Sequence, residues 1–160
     1  MGAGRAVAEE IGIAAEEAWG DPRNFELFPD VEPLLAVLRA SGCRVGLVSN
    51  TDRELEPFAA RLGIAVDFAL ASRAHGRRKP CTTIFAAALA LGGAPAELAV
   101  MVGDSLDDDI AGAASCGVRA VLIDRHGRYP EHRGERIGGL DELPALLGLA
   151  TPAATRPASA

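Results

Sequence analysis

Apolar and polar positions along this chain fall into blocks that switch between a helical and a strand period. From Asp30, the residues Val31, Leu34, Leu35 and Leu38 recur at helical spacing. Asp30 can cap the first turn and Pro33 is tolerated there, so an amphipathic helix is predicted up to Ser41-Gly42. Cys43 to Val48 reads as a buried strand, ending in the polar turn Ser49-Asn50-Thr51-Asp52. Leu55, Phe58, Ala59 and Leu62 then repeat at i, i+3, i+4 and i+7, a second helix that Gly63 closes. Asp67 to Ala71 is a shorter strand, and Ser72 to Lys79 a polar, basic loop. Pro80 opens a helix with Ile84, Phe85, Ala88, Leu89 and Leu91 turned inward, broken at Gly92-Gly93-Ala94-Pro95. Ala99 to Val102 is a buried strand leading through Gly103-Asp104-Ser105 into a helix that ends at Cys116-Gly117. Val118 to Ile123 is a further strand, and Asp124 to Gly134 a long charged loop. A strand near Ile137 and a short helix at about Asp141 to Leu147 complete this part.

At the other end, Val7, Ile11, Ala14, Ala15 and Ala18 share one face of a helix over residues 3–19, which Gly20-Asp21-Pro22 stops. Trp19, Phe25 and Phe28 follow in a polar linker, where packing under a loop is expected. No internal repeat is present. Helix, then strand and helix in regular alternation, predicts a parallel sheet with helices on both faces. From Leu149 to Ala160 a Pro/Ala-rich tail is expected to be disordered.

Composition narrows the class. A chain of 160 residues, 49% hydrophobic and 24% charged, is that of one soluble globular domain. Aromatics are only 4%, so Leu, Val, Ile and Ala must build the core. A net charge of −6 argues against nucleic acid or an anionic membrane as partner, but leaves room for a phosphorylated small molecule held by a local positive site. Cys43, Cys81 and Cys116 fit neither a disulfide framework nor a zinc motif. No apolar stretch reaches the ~18 residues of a membrane span. No apolar segment follows Met1 to Arg5 as in a signal peptide, so a cytoplasmic location is expected.

The stretch Gly103-Asp104-Ser105-Leu106-Asp107-Asp108-Asp109 carries the densest chemistry. Acids in the first turn of a helix are favoured by its dipole, which accounts for Asp107 and Asp108. Asp104 is left over, a carboxylate at a strand end beside a glycine, where ligands of parallel sheets sit. A hard cation, Mg²⁺, is the expected ligand. Two other strand-end turns join it. The hydroxyl of Ser49 and the amide of Asn50 can hold a phosphate oxygen, and Lys79 supplies a cation just before a helix. Hydroxyl, cation and metal-binding carboxylate are the set that phosphoryl chemistry uses.

Val45-Gly46-Leu47-Val48-Ser49-Asn50, Lys79-Pro80 and Val102-Gly103-Asp104-Ser105-Leu106-Asp107-Asp108-Asp109-Ile110-Ala111-Gly112-Ala113 resemble, in order and spacing, motifs two, three and four of the haloacid dehalogenase-like (HAD) hydrolases. Phe28-Pro29-Asp30-Val31-Glu32-Pro33-Leu34-Leu35 looks like the segment that re-enters the core after a cap, and Asp52-Arg53-Glu54-Leu55 is similar to a branch related to the family's domain-containing-3 type. The resemblance covers roughly residues 25–125. It implies a Rossmannoid α/β core over residues 25–148, with a residual cap-like helix and linker at 1–24. It also implies Ser49 and the Asn50 backbone on the substrate phosphoryl oxygens, Lys79 steadying the reacting charge, Asp104 ligating Mg²⁺, and Asp109 holding the ion through water. Asp107 and Asp108 receive no role. Cys81-Thr82 depart from the family's usual Asp-Pro.

The family's first motif, a buried strand ending in Asp-x-Asp, is absent from this sequence: Asp21, Asp30 and Asp67 each lack a second aspartate two residues on. That strand lies centrally in the family, between those ending at Ser49 and Asp104, and its first aspartate is the nucleophile. Without it, the sheet is expected either to close, pairing residues 44–48 with 99–102, or to keep a gap open to another chain. Two functional readings follow: a Mg²⁺-dependent phosphatase of a small phosphorylated metabolite, truncated and inactive as an isolated chain, or a non-catalytic phosphate- and metal-binding domain. A receiver-like signalling domain would also need a strand-end phosphoacceptor. Exposed sheet edges make self-association an expected partner interaction.

Overall fold

The computed structural model describes residues 24–150; the expectations for the 3–19 helix, Trp19 and the tail beyond residue 150 lie outside them. Helix α1 (Val31–Ala40) buries Leu34, Leu35 and Val37. Asp30 precedes it but makes no cap with its side chain, contrary to the sequence expectation. Its carboxylate instead accepts both nitrogens of Arg125, at 2.7 and 2.9 Å, and the Leu140 N–H at 2.8 Å. A stronger, charged donor outbids the backbone of the first turn.

Strand β1 (Gly46–Ser49) pairs in parallel with β2 (Phe68–Ala71), in register Gly46↔Phe68 to Ser49↔Ala71. Helix α2 (Leu55–Arg61) joins them, with Ala59 buried and Gly63 at φ 74° just beyond its end. Ser72 to His75 forms a helical turn, α3, where a loop was expected. Helix α4 (Thr82–Gly92) starts two residues later than Pro80, and buries Ile84 and Phe85. Leu91, expected inward, is 46% exposed.

The second sheet has the order β3 (Val100–Gly103), β4 (Arg119–Ile123), β5 (Arg136–Ile137), all parallel. Between β3 and β4 lie a wide helical turn, Leu106–Ala111, and the short helix α5 (Gly112–Ala114). The Ile110 N–H reaches five residues back to the Ser105 carbonyl at 3.1 Å, the bonding of a π-turn. A last helix, α6 (Leu143–Leu146), follows a 3₁₀ turn at Leu140–Glu142.

Strand alternation sorts the core onto two faces. Val100, Val102, Val121, Ile123 and Ile137 pack with Leu34 and Leu38 of α1 and with Leu143 and Leu146 of α6. Val48, Leu70, Met101 and Ala120 pack instead with Ile84, Phe85 and Leu89 of α4 and Ala113 of α5. The expected architecture, a parallel sheet between two helical layers, is what forms.

The sheet is nevertheless divided, because no ladder joins β1 to β3. The closure of 44–48 onto 99–102 does not occur; the gap does. The Val45 carbonyl accepts from the Asp67 N–H at 2.7 Å, so Val45, Leu47 and Ser49 turn their main-chain groups toward β2. Gly46 and Val48 therefore face the gap. Leu122 and Asp124 donate to the β5 side, which leaves Val121 for β3 and, by the register Val102↔Val121, turns Val100 and Val102 to the gap from the other side. In β4 Val121 and Leu122 are fully buried. No residue of β1 or β3 is, although helices cover both faces. Among the described residues no helix is long and apolar enough to cross a membrane.

Candidate active site

The carboxyl ends of β1 and β3 meet in one cluster of polar side chains. Lys79 is brought there by the loop before α4 and is buried. Its ammonium donates to Asp109 Oδ1 at 2.5 Å and to the gap-facing Val48 carbonyl at 3.0 Å. The other Asp109 oxygen accepts the Ser105 N–H at 3.1 Å. Asp109 is itself buried, so a cation and an anion that would each be costly alone neutralise one another.

Two glycines of the motif are required by close approach. A Cβ on Gly103 would overlap the Asp109 carboxylate. A Cβ on Gly112 would stand 2.8 Å from the Phe85 ring and 3.1 Å from Pro80 Cα, so α5 could not lie against the Lys79-Pro80 loop.

Asn50 holds the two halves together through its side chain. Its Oδ1 accepts the Lys79 N–H at 2.7 Å, and its Nδ2 donates to the Lys79 carbonyl and to Asp108 Oδ2, each at 3.0 Å. Asp108 was assigned only to a helix terminus; it also anchors Asn50, while its own N–H is capped by Ser105 Oγ at 3.1 Å. Sequence reasoning brought Asn50 to this site as a phosphate-holding amide and backbone, and missed the side chain's bonds to Lys79 and Asp108. The signal lay in its type: an amide carries its donor and its acceptor on separate atoms and can serve a backbone N–H and C=O at once, as a carboxylate cannot.

Ser49 ends β1, half-buried, beside this cluster. Asp104 follows β3, is exposed, and makes no ion pair with a described residue. No group of three or more His, Cys, Asp or Glu side chains able to hold a metal converges among the described residues. Each Asp109 oxygen already has one partner, the Lys79 ammonium or the Ser105 N–H. The residues present therefore fit a divalent ion only in part, with Asp104 as a single carboxylate ligand.

Beyond Asp104 the charged loop 124–134 is ordered. Buried Asp124 accepts the N–H groups of Arg128 and Tyr129 at 2.8 and 3.0 Å, with Arg136 Nη1 at 3.4 Å. Burial pushes the Asp124 carboxyl up, but those N–H groups and Arg136 outweigh it and hold it below the ordinary carboxylate range. The Arg125 hydrogen bonds lower the Asp30 carboxyl against a smaller opposing effect of burial. Arg125 also lies 4.0 Å over the Phe28 ring. Phe25 meets Phe58 of α2 edge-on at 5.1 Å, with Arg53 over both rings, so Phe25 packs as expected, whereas Phe28 is 54% exposed.

A family model described as haloacid dehalogenase-like hydrolase matches residues 3–117. The chain is 36% identical over 135 residues to haloacid dehalogenase-like hydrolase domain-containing protein 3 of Danio rerio, covering 79% of this chain and 54% of that protein. It is 36% identical over 153 residues to a phosphoserine phosphatase of Thermus thermophilus, covering 87% and 61% respectively. Among solved structures, a HAD phosphatase from Thermococcus onnurineus is similar at a TM-score of 0.76 and 30% identity, over 82% of this chain and 62% of that one. The chain thus spans between half and two thirds of the length of these curated relatives.

Proposed function

The chain belongs to the haloacid dehalogenase-like hydrolases, and from that premise we propose that it forms the core of a Mg²⁺-dependent phosphohydrolase for a small phosphorylated metabolite. One observation carries the reading: a hydroxyl, Ser49, a buried ammonium, Lys79, and an exposed carboxylate, Asp104, stand at the carboxyl ends of two neighbouring strands. The phosphatase names of several relatives, which include a glyceraldehyde 3-phosphate phosphatase from Methanothermobacter thermautotrophicus, point the same way.

In this reading the Ser49 hydroxyl and the Asn50 N–H bind a phosphoryl oxygen. Lys79, oriented by Asp109, offsets the negative charge that gathers on the transferring group. Asp104 would ligate Mg²⁺, and the bound ion would supply further charge neutralisation at the phosphoryl oxygens. The described residues place no carboxylate between Ser49 and Asp104 to attack phosphorus. The covalent route then needs a nucleophile on a strand in the gap, and these residues alone bind without turnover. The unpaired edges of β1 and β3 also support self-association through the sheet.

The test is direct. Incubated with Mg²⁺ and an activated aryl phosphate, the chain is expected to release no product above background, while inorganic phosphate binds it in a Mg²⁺-dependent manner. Turnover abolished by Asp104→Asn would overturn the inert part of the reading. Failure of phosphate to bind at all would overturn the rest, and favour neither enzyme nor phosphate-binding domain.

A further inference from the structure

A pocket of about 270 Å³ opens at the carboxyl ends of β3 and β4; Asp104 lines it and Lys79 does not. Its walls include Phe28, Asp104, His126, Arg128 and Tyr129. We propose that this pocket is a subsite for a second acidic group, carboxylate or phosphate, on the phosphorylated substrate. The inference rests on the phosphohydrolase reading above, whose site it extends through the shared residue Asp104.

Charge carries the argument first. In a protein of net charge −6, Arg128 and His126 line one pocket and neither side chain forms an ion pair with a described residue. One anion, Asp104, also lines the pocket without an ion pair to a described residue, and in the reading above it is the group that would hold Mg²⁺. Arg125 and Asp124 are already matched. Arg125 is forked onto Asp30, and Asp124 is buried under two N–H groups and Arg136, so its charge is spent locally. What the pocket offers an incoming group is therefore a guanidinium and an imidazole, with the Phe28 ring as an apolar wall. A guanidinium presents a planar fork that fits carboxylate and phosphate oxygens two at a time.

Rigidity carries it second. The turn that bears both donors is fixed at its base, because Asp124 accepts the N–H groups of Arg128 and Tyr129 and its carbonyl accepts the Gly127 N–H at 3.2 Å. Gly127, at φ 63°, lets the chain reverse there. A turn closed in this way fixes where both side chains start, so the backbone has little freedom left to lose when they engage an anion. A phosphate ester ending in a neutral alcohol or a methyl group would leave them without a partner.

The experiment compares matched pairs of phosphate esters by two-dimensional NMR titration of the full chain in Mg²⁺ buffer. Phosphoglycolate is set against ethyl phosphate, and 3-phosphoglycerate against glycerol 3-phosphate. The acid-bearing member of each pair is expected to bind about tenfold tighter, as a charge-assisted bond at a partly open site allows. It should shift the amides of residues 126–129 in addition to those of Ser49 and Asn50. Arg128→Ala, at an exposed position that spares the core, is expected to abolish the preference and leave ethyl phosphate binding unchanged. A bisphosphate of similar length that exceeds the carboxylate in affinity would identify the second group as phosphate; one that falls below it would identify a carboxylate. Equal binding within each pair, with only the Ser49-Asn50 amides moving, overturns the subsite and leaves the phosphohydrolase reading standing. Absence of binding by every probe overturns both.

Discussion

Asn50 Nδ2 lies 3.0 Å from Asp108 Oδ2, and that bond ties the turn after β1 to the turn after β3 across a divided sheet. The same amide clamps both main-chain groups of Lys79. Asn50→Ala removes all three partners at a partly buried position, and is expected to cost about 1–3 kcal/mol of stability. Asp108→Asn keeps an acceptor oxygen and should cost less than about 1 kcal/mol. Urea unfolding of the two variants checks this. Equal losses would assign the effect to charge at the helix terminus, not to the bridge.

Lys79 and Asp109 are a buried pair, with side chains 10% and 5% exposed. Asp109→Ala leaves an ammonium without its counter-ion and is expected to destabilise by about 3–5 kcal/mol. Replacing both, by Lys79→Met with Asp109→Leu, should recover a large part of that loss, since both desolvation penalties vanish together. A double-mutant cycle with no coupling between the positions would contradict the pairing.

Hydrogen exchange should read the gap one residue at a time. In β1 the amides of Leu47 and Ser49 point to β2 and are expected to be protected, whereas those of Gly46 and Val48 exchange faster. In β3 the corresponding split is slow at Met101 and Gly103, fast at Val100 and Val102. Uniform protection along both strands at low protein concentration would mean that something pairs with the inner edges. Protection that grows with concentration would identify a second copy as the occupant.

Acid should loosen the junction between α1 and the charged loop. The folded-state pKa of Asp30 is lowered, chiefly by Arg125. A depressed carboxyl contributes stability that is complete above its unfolded value, about 3.9, and is lost as pH falls through the folded value. Asp30→Asn is therefore expected to lower the thermal midpoint at neutral pH, with the difference from the unmutated chain constant down to about pH 5 and shrinking below about pH 4. A difference that persisted unchanged at pH 3 would show that the Asp30 charge is not what matters there.

Much of this fold can be read from residue patterns. Val100 to Val102, Val118 to Ile123 and the Leu34, Leu35, Leu38 stripe are long enough apolar signals to announce their elements, and the order of the strand-end turns located Ser49, Lys79 and Asp104. What escaped were pairings that only burial decides. Asp30 looked like a cap, yet Arg125, far along the chain, takes its carboxylate. Asp109 was assigned to the water shell of a metal, and its pairing with the buried Lys79 was not foreseen. The loop 124–134 looked shapeless because its organiser, Asp124, folds it through backbone N–H groups that any sequence possesses. Leu91 was assigned to the inward face of its helix but is 46% exposed.

The interrupted ladder also bears on how the domain melts. Strands bonded edge to edge throughout come apart together, as a single cooperative unit. Here β1 and β2 share one ladder and β3 to β5 another, and among the described residues the halves communicate through side chains such as the α4 cluster, the Lys79 ammonium and the Asn50 amide. Opening the smaller half breaks none of the hydrogen bonds that hold the larger one. The stretch from Gly46 to Ala71 can thus loosen while β4, flanked on both sides and with Val121 and Leu122 sealed from solvent, keeps the remainder folded. Amides of β1 and β2 are therefore expected to exchange through smaller openings than those of β4.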